Sequence, residues 1–248
     1  MMEKIPMIDL HSHILPEVDD GAGNLWESLQ MARIAVDSGV TEMVATPHCT
    51  RGRMKNIRSA WELLRDALEE TRIPLKLHLG MEIFGTPDTA RLLQEGQLLT
   101  LNGSRYPLVE FPFLSSGEDE TKVLKELAAA GYQPVVAHPE RYVYLQQEPE
   151  MINRWAEIGC LLQVNRGSLL GRFGERSRQL ALGLIDRGFV TAVSSDCHSA
   201  KRRSPYMEDI RELLERMFSE KTPQQLLWHN PNMILQNRPL RPGKPEWF

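Results

Sequence analysis

The sequence contains few cysteines and no long apolar run. Its 248 residues include three cysteines, which are Cys49, Cys160 and Cys197. A small, odd set argues against the disulfide framework of a secreted protein and favours a reducing compartment. No apolar stretch has the length of a membrane span, and no apolar signal segment precedes the first expected strand. We therefore expect a cytoplasmic protein without a membrane span.

An excess of positive charge is also absent. The 29 Lys and Arg residues are outnumbered by 33 Asp and Glu residues, which gives a formal net charge of -4. Nucleic acid is therefore not an expected partner, because there is no basic surplus to neutralise its phosphates. The densest basic run, Lys201-Arg202-Arg203, is too short to form a nucleic-acid groove by itself.

Short apolar runs alternate with helical patterns along the whole chain, and this order predicts βαβ units and a parallel sheet. About seven such units, without a repeat or a composition break, predict one domain over residues 1–248 with an irregular tail at 238–248. We expect an α/β fold in the form of a distorted (β/α)7 TIM-like barrel. A doubly wound open sheet is the alternative, although no glycine-rich dinucleotide turn follows the first strand.

Several element boundaries carry local signals. Asn24 is a residue type that caps helices, so a helix is predicted over 25–38. An alternating run over 75–79 predicts the third strand, with Glu82 at its carboxyl end. The last helix is predicted over 223–229.

The first predicted strand carries the earliest chemical signal. Side chains two residues apart share a face of a strand, so Asp9, His11 and His13 point the same way. Neutral imidazole is the commonest metal ligand in proteins. Asp19 and Asp20 follow within the reach of one loop. A strand that merely ends in polar residues is the simpler alternative, and the other strand ends must decide between the two.

Functional groups of parallel α/β folds lie at the carboxyl ends of the strands. The predicted strand ends share one chemical theme, since they carry His11, His13, Asp19, His48, Glu82, Glu110, His138, Asp196 and His198. Each residue alone could be a cap or a satisfied polar group, but their joint placement predicts a polynuclear metal centre. Imidazole and carboxylate ligands without thiolate fit Mn, Fe, Zn or Mg. Such a centre activates water and stabilises an oxyanion, so we predict hydrolysis, most simply of a phosphate ester.

Short motifs around these residues resemble a known superfamily. In chain order they are His11-Ser-His13, Thr46-Pro-His48, Gly80-Met-Glu-Ile83, Glu110-Phe111, His138-Pro-Glu-Arg141 and Ser195-Asp-Cys-His198. This set resembles the polymerase and histidinol phosphatase (PHP) superfamily. Within this superfamily, the chain resembles the bacterial manganese-dependent protein-tyrosine phosphatases of capsule and exopolysaccharide gene clusters. The motifs that carry this closer resemblance are Asp19-Asp20-Gly21, Glu140-Arg-Tyr142, Asn165-Arg-Gly-Ser-Leu-Leu-Gly171 and Asn230-Pro231. The resemblance extends from about Ile8 to Asn237.

The resemblance implies a PHP-type barrel with three divalent metal ions, expected to be Mn²⁺, with Fe, Zn or Mg as alternatives. The implied ligands are His11, His13, Glu82 and Asp196 for the first ion, Glu82, Glu110 and His138 for the second, and Asp19, His48 and His198 for the third.

The same resemblance implies a substrate and a partner. Arg141 and Arg203 match the arginines that bind the substrate phosphate, a role that suits the guanidinium fork. With Asp196 and His198 they form the expected catalytic set. The implied substrate is phosphotyrosine on a bacterial tyrosine kinase, and the implied role is regulation of capsule or exopolysaccharide synthesis.

Other functions stay open at this point. The metal site could serve a small phosphomonoester, such as histidinol phosphate, or a phosphodiester, or a binding module without turnover. Cys197 and Arg203 also have the Cys-x5-Arg spacing of cysteine-dependent phosphatases. Cys160 and Arg166 repeat that spacing inside an expected core strand, and the loop after Cys197 lacks a glycine for wrapping a phosphate. We therefore favour the metal mechanism.

Some residues remain outside the motifs. His78 is in phase with Glu82 along the chain, but we expect it to be an ordinary core or surface histidine. His229 is expected to be a favourable charge at a helix C-terminus. Arg166 departs from the small residue expected in its motif.

Overall fold

Parallel strands form the centre of the molecule. The computed structural model describes residues 6–48 and 54–241. Every strand pair within this part of the chain is parallel. The strands are β1 (Met7–Ser12), β2 (Val40–Ala45), β3 (Lys76–Leu79), β4 (Glu82–Phe84), β5 (Leu108–Glu110), β6 (Val135–Ala137), β7 (Leu161–Asn165) and β8 (Val190–Ser194). The residues of β1, β7 and β8 are buried on both faces, as expected of strands covered by helices.

The strands form two sheets that meet at two junctions. β1, β2 and β3 form one sheet, and β4 to β8 form the other in chain order. A bridge between His48 and Glu82 joins the sheets at one side, and a bridge between Ser12 and Cys197 joins them at the other. The predicted α/β fold is confirmed. Its distortion has a clear cause, since isolated bridges take the place of full hydrogen-bonded ladders at both junctions.

The position of Glu82 differs from the prediction. It is the first residue of β4 and does not end β3. The chain stays beside the end of β2 while it turns between the sheets, because the Gly80 N–H donates to the Ala45 carbonyl at 2.8 Å and the Glu82 N–H donates to the Pro47 carbonyl at 3.1 Å. A Cβ atom at Gly80 would lie only 3.1 Å from the Val44 side chain, so any larger residue in this turn would crowd the side chain of Val44.

Helices connect and cover the strands. They are α1 (Leu25–Asp37), α2 (Met54–Glu70), α3 (Thr89–Gln94), α4 (Glu118–Ala129), α5 (Val143–Gln147), α6 (Met151–Ile158), α7 (Arg166–Leu169), α8 (Glu175–Asp186), α9 (Glu208–Met217), α10 (Lys221–Pro223) and α11 (Asn230–Leu235), with short 3₁₀ turns at Leu101–Gly103 and Pro139–Arg141. Among residues 6–48 and 54–241, none of the helices combines the length and the apolar character that crossing a bilayer requires.

The first predicted helix is confirmed and the last one is longer than predicted. The Asn24 side chain accepts a hydrogen bond from the Glu27 N–H at 2.9 Å and caps α1. At the other end of the chain, α10 continues through a π-helical stretch (Gln224–His229) into α11, although only 223–229 was predicted. Pro231 lies in the first turn of α11, directly after the π-helical stretch.

The predicted tail lies partly outside the described residues. Residues 238–241 contain neither helix nor strand, and residues 242–248 are not described. The assignment of residues 1–248 to one domain stays a prediction.

Tyr142 ties together the ends of two neighbouring strands. Its hydroxyl donates to the Ala137 carbonyl at 2.8 Å and accepts from the Phe111 N–H at 3.0 Å. Burial raises the pKa of Tyr142 well above its usual range, so the hydroxyl keeps the proton that it donates. Since Ala137 ends β6 and Phe111 follows β5, the hydroxyl fixes the spacing between the strand ends that carry Glu110 and His138.

We expect Tyr142→Phe to lower the free energy of unfolding by about 1–3 kcal/mol, because it leaves two buried backbone groups unpaired. Urea denaturation of the variant and of Tyr206→Phe, a change at a tyrosine that is 40% exposed, measures the difference. Equal stability of the two variants would contradict the structural role of the Tyr142 hydroxyl.

Candidate metal centre

The carboxyl ends of the strands bring the predicted ligands together. A cavity of about 220 Å³ opens there and is lined by Asp20, His48, Glu82, Glu110, Phe113, His138, Arg141, Asp196, His198 and Arg203. His11 and His13 are completely buried beside this lining. The closely spaced groups of His, Asp and Glu that could hold a metal ion are, in the described part of the chain, His11/His13/Glu82, His48/Glu82/Glu110 and His13/Asp20/His48/His198.

The first group is the most buried. The Nε2 atoms of His11 and His13 lie 3.3 Å apart, and each lies 3.2 Å from Glu82 Oε2. Asp196 Oδ1 lies 3.5 and 3.6 Å from the same two nitrogens. Donor atoms that share one cation through bonds of about 2.0–2.2 Å lie about 3.0–3.6 Å from one another. The spacing and the chemistry of this donor set therefore fit a divalent metal ion.

Glu82 belongs to more than one group. Its Oε1 accepts a hydrogen bond from His138 Nε2 at 2.8 Å, whereas its Oε2 faces His11 and His13. His48 Nδ1 lies 3.2 Å from Glu82 Oε2 and 3.1 Å from Glu110 Oε1. A carboxylate placed between imidazoles on several sides has the position of a bridging ligand.

The third group contains Asp20 in place of the predicted Asp19. Asp20 Oδ1 lies 3.6 Å from His48 Nε2 and 3.5 Å from His198 Nε2. Asp19 instead accepts hydrogen bonds from His13 Nδ1 at 2.7 Å and from the His48 N–H at 2.9 Å. Both contacts hold Asp19 behind the grouped donors, so the spacing favours Asp20 over the predicted Asp19 as a member of this group. Two consecutive aspartates offer no local sequence signal that distinguishes the inner from the outer one.

The charges of the cluster favour a cation. Burial lowers the pKa of His11 and His13, but hydrogen bonds and the nearby charges of Glu82, Asp19 and Asp196 outweigh it and raise these values to about 9 and about 10. Burial raises the pKa of Asp196, but the charges of His11 and Arg203 outweigh it and lower the value to about 2. Buried carboxylates that stay ionised create a strong local preference for positive charge.

Two of the predicted ligands adopt strained backbone conformations. His138 has a φ of 37° and Asp196 has a φ of 51°, both in the left-handed region that non-glycine residues rarely enter. Such strain persists only where the surroundings fix the residue, and it is concentrated at functional sites. His138 directly follows β6 and Asp196 lies two residues after β8, and both turn their side chains into the cluster.

A buried chain of two amides links two of the predicted ligands, and the sequence analysis did not predict it. His11 Nδ1 donates to Gln163 Oε1 at 2.8 Å, Gln163 Nε2 donates to Asn165 Oδ1 at 2.9 Å, and Asn165 Nδ2 donates to Asp196 Oδ2 at 2.5 Å. The first bond places the proton of a neutral His11 ring on Nδ1 and leaves Nε2 to face the cluster. Gln163 and Asn165 both lie on β7. The only sequence signal for them is that residues two apart on a strand share a face, so both can point towards a site that is already known.

Asp9 connects β1 with the segment that follows β8. Its carboxylate accepts hydrogen bonds from the Ser195 hydroxyl at 2.5 Å and from the Ser195 N–H at 3.1 Å. Burial raises the pKa of Asp9, and the bonds from Ser195 oppose that change. Asp9 therefore joins the start of the chain to the loop that carries Asp196.

Arg141 and Arg203 both reach the cavity. Arg203 Nη2 forms an ion pair with Asp196 Oδ2, and Arg141 Nη1 lies 3.6 Å from the same oxygen. The Arg203 side chain is 30% exposed and the Arg141 side chain is 20% exposed, so their free N–H groups face an opening to solvent. The pair has the position expected of groups that bind an anion above the cluster.

The cysteine alternative lacks the geometry that it requires. Cys197 is completely buried, and burial raises the pKa of its thiol, which is the opposite of an activated thiolate. The N–H groups of His198 and Ser199 donate to the Arg203 carbonyl at 2.9 and 3.3 Å. They are therefore used within the loop and do not wrap a phosphate.

The other singled-out residues have structural partners. His78 Nε2 lies 2.7 Å from Glu42 Oε2, outside the cluster, as expected of an ordinary histidine. Arg166 is buried and forms an ion pair with Asp209 at 2.5 Å, which explains why its motif tolerates a large residue. His229 belongs to none of the metal-capable groups in the described residues, and the expected helix C-terminus at His229 is wrong, because the helix continues directly into α11.

The fold and the cluster define a parallel α/β protein of the distorted barrel class with a candidate polynuclear metal centre. The family model "Capsular polysaccharide synthesis, CpsB/CapC" matches residues 7–236. The chain belongs to this CpsB/CapC family, and the resemblance stated from the motifs is confirmed.

Relatives and solved structures agree with this assignment. The chain is 35% identical over 244 residues to tyrosine-protein phosphatase YwqE of Bacillus subtilis, covering 97% of this chain and 96% of YwqE. It is 30% identical over 241 residues to tyrosine-protein phosphatase CpsB of Streptococcus pneumoniae, covering 94% and 99%.

The structural likeness is equally broad. A structure from the work on YwqE and CpsB, described as "unique metal-dependent tyrosine phosphatases", matches with a TM-score of 0.91 over 98% of this chain and 99% of that one, at 35% identity. Dihydropyrimidinase from Brevibacillus agri matches with a TM-score of 0.59 over 96% of this chain and 72% of that one, at 13% identity, and therefore shares the fold alone.

We expect Gln163→Met to weaken Mn²⁺ binding about 10–100-fold, because residues that orient a metal-binding histidine contribute that much to affinity. The matched control is Gln133→Met, since the Gln133 amide binds the Gly159 and Leu240 carbonyls away from the cluster. Calorimetric titration with Mn²⁺ measures both. Equal affinities would show that the amide chain does not position His11.

Proposed function

We propose that the protein is a metal-dependent protein-tyrosine phosphatase that hydrolyses phosphotyrosine on a bacterial tyrosine kinase. The observation that carries the proposal is the placement of Arg141 and Arg203 at the opening of a cavity lined by His, Asp and Glu side chains. A guanidinium binds phosphate oxygens through two parallel hydrogen bonds, and the donor set below suits metal-assisted hydrolysis. The names of the relatives, which are tyrosine-protein phosphatases, support the substrate class.

The proposal includes three divalent ions, most simply Mn²⁺, with Fe, Zn or Mg compatible with the same ligand types. The proposed holders, adjusted to the observed spacing, are His11, His13, Glu82 and Asp196 for the first ion, Glu82, Glu110 and His138 for the second, and Asp20, His48 and His198 for the third. His48 also approaches Glu110, so it lies between the second and third positions.

When bound, the ions would supply Lewis acidity and a water of lowered pKa for attack on phosphorus. The protein supplies the orientation. Arg141 and Arg203 bind the outer phosphate oxygens, and the contact of Arg203 with Asp196 keeps its guanidinium turned towards the cluster. The bond between phosphorus and the tyrosine oxygen breaks as the new bond to the water oxygen forms on the opposite side.

The setting of this activity follows from the same family. We place the protein in the cytoplasm, with an autophosphorylating tyrosine kinase of the same polysaccharide system as its partner. Removal of phosphate from that kinase would regulate capsule or exopolysaccharide synthesis. The description of the family as one of capsular polysaccharide synthesis supports this role.

The substrate class is tested by rates on a phosphotyrosine peptide, histidinol phosphate and a dinucleotide diester. We expect the phosphotyrosine peptide to have the highest kcat/KM, EDTA to abolish its turnover, and added Mn²⁺ to restore it. A preference for either other substrate would reject the tyrosine-phosphatase proposal. Turnover that survives EDTA and exhaustive dialysis would reject the metal mechanism, and no turnover of any substrate would favour a binding module.

The metal and cysteine mechanisms predict opposite effects of two neighbouring substitutions. Cys197→Ala should retain most of the activity, because the buried thiol takes no part in the reaction. His198→Ala should lower kcat/KM by about two orders of magnitude or more, since loss of a ligand exceeds the about 10–100-fold loss typical of its supporting residues. Circular dichroism of both variants controls for folding. A higher activity of His198→Ala than of Cys197→Ala would contradict the metal mechanism.

A further inference from the structure

Arg141 is held between two aromatic rings. Its guanidinium carbon lies 4.5 Å from the centre of the Phe113 ring and 4.3 Å from the centre of the Phe173 ring. Aromatic faces attract a cation without using its in-plane N–H groups. The two rings therefore fix the arginine at the cavity opening and leave its donors available to an anion.

Both rings are themselves fixed by the backbone. The Phe113 carbonyl accepts a hydrogen bond from the Val143 N–H at 2.9 Å, which anchors the segment after β5 to α5. A Cβ atom at Gly167 would lie 2.6 Å from the Phe173 ring, so this ring rests directly on the backbone of α7. The backbone therefore positions the Phe173 ring and the segment that carries Phe113.

The outer side of this clamp is apolar and exposed. Phe113 lines the cavity and is 37% exposed, and the adjacent Leu114 is 84% exposed. Exposed apolar side chains next to a polar cavity commonly mark the part of a site that receives an apolar portion of the ligand. A phosphate bound by Arg141 and Arg203 would direct its ester group out of the cavity towards this surface.

We propose that Phe113 and Leu114 form the wall that receives the aromatic ring of phosphotyrosine, while Phe113 and Phe173 together hold Arg141 for its phosphate. The inference rests on the proposed function and adds the residues that select an aryl over an alkyl phosphate ester. Ring-to-ring contact favours an aryl group at Phe113, whereas phosphoserine has no ring to make this contact.

The test compares kcat/KM on two peptides of the same sequence that carry either phosphotyrosine or phosphoserine. We expect Leu114→Ser and Phe113→Leu to lower the ratio of phosphotyrosine to phosphoserine turnover, the latter by about tenfold, because both remove contact with the substrate ring. Phe113→Leu also removes a contact with Arg141, but that loss weakens phosphate binding of both peptides alike and cancels in the ratio. Phe84→Leu is the matched control, since Phe84 is 49% exposed on β4 and lies outside the cavity lining. Leu114 is so exposed that its substitution leaves folding intact.

A second measurement separates the wall from the clamp. Phe173→Leu should raise the inhibition constant for inorganic phosphate and lower turnover of both peptides equally, whereas Leu114→Ser should leave the phosphate inhibition constant unchanged. An unchanged substrate ratio in both Leu114→Ser and Phe113→Leu overturns the wall, even where the wild-type protein prefers phosphotyrosine. A wild-type protein that does not prefer phosphotyrosine overturns the proposed function itself, and the wall with it.

Discussion

The buried carboxylate of Glu82 is the interaction on which the rest of the site depends. It is 1% exposed and has imidazole nitrogens of four histidines within 3.2 Å, which belong to His11, His13, His48 and His138. A charge removed from water in this way is stable only if partners of opposite charge or hydrogen-bond donors surround it. Four strand regions must therefore meet at one point.

The closure of the sheets and the assembly of the cluster are the same structural event. The bridge that joins the two sheets on one side pairs His48 with Glu82, and both are cluster residues. On the other side, the His13 N–H donates to the Cys197 carbonyl and the Asp196 N–H donates to the His11 carbonyl. Ligand-type side chains therefore lie at the two junctions where regular strand pairing is interrupted.

The surroundings of the cluster divide into two parts with different chemistry. Behind it, Asp19 and the Gln163–Asn165 amides bind the outer nitrogens or oxygens of ligand-type residues and fix their orientation. In front of it, arginines and aromatic rings form the opening. The rear is buried and polar, and it determines which atoms face a cation. The front is partly exposed, and it determines which anionic ester approaches.

Much of this arrangement is determined by sequence order alone. Alternating strands and helices predict a parallel α/β fold, and the rule that strand ends share one edge places His11, Glu110 and His138 together without coordinates. Helix α1 follows from its capping residue, Asn24, because that interaction is local. The CpsB/CapC family is recognisable from the same short motifs.

The remaining features required the tertiary structure, because they depend on contacts between residues far apart in the chain. Glu82 begins β4, since the chain changes sheets at Gly80. Asp20 faces the cluster and Asp19 lies behind it, because the His13 ring and the His48 N–H hold Asp19 through hydrogen bonds. Gln163 and Phe173 gain their roles only from the neighbours that packing gives them, and no local pattern encodes such neighbours.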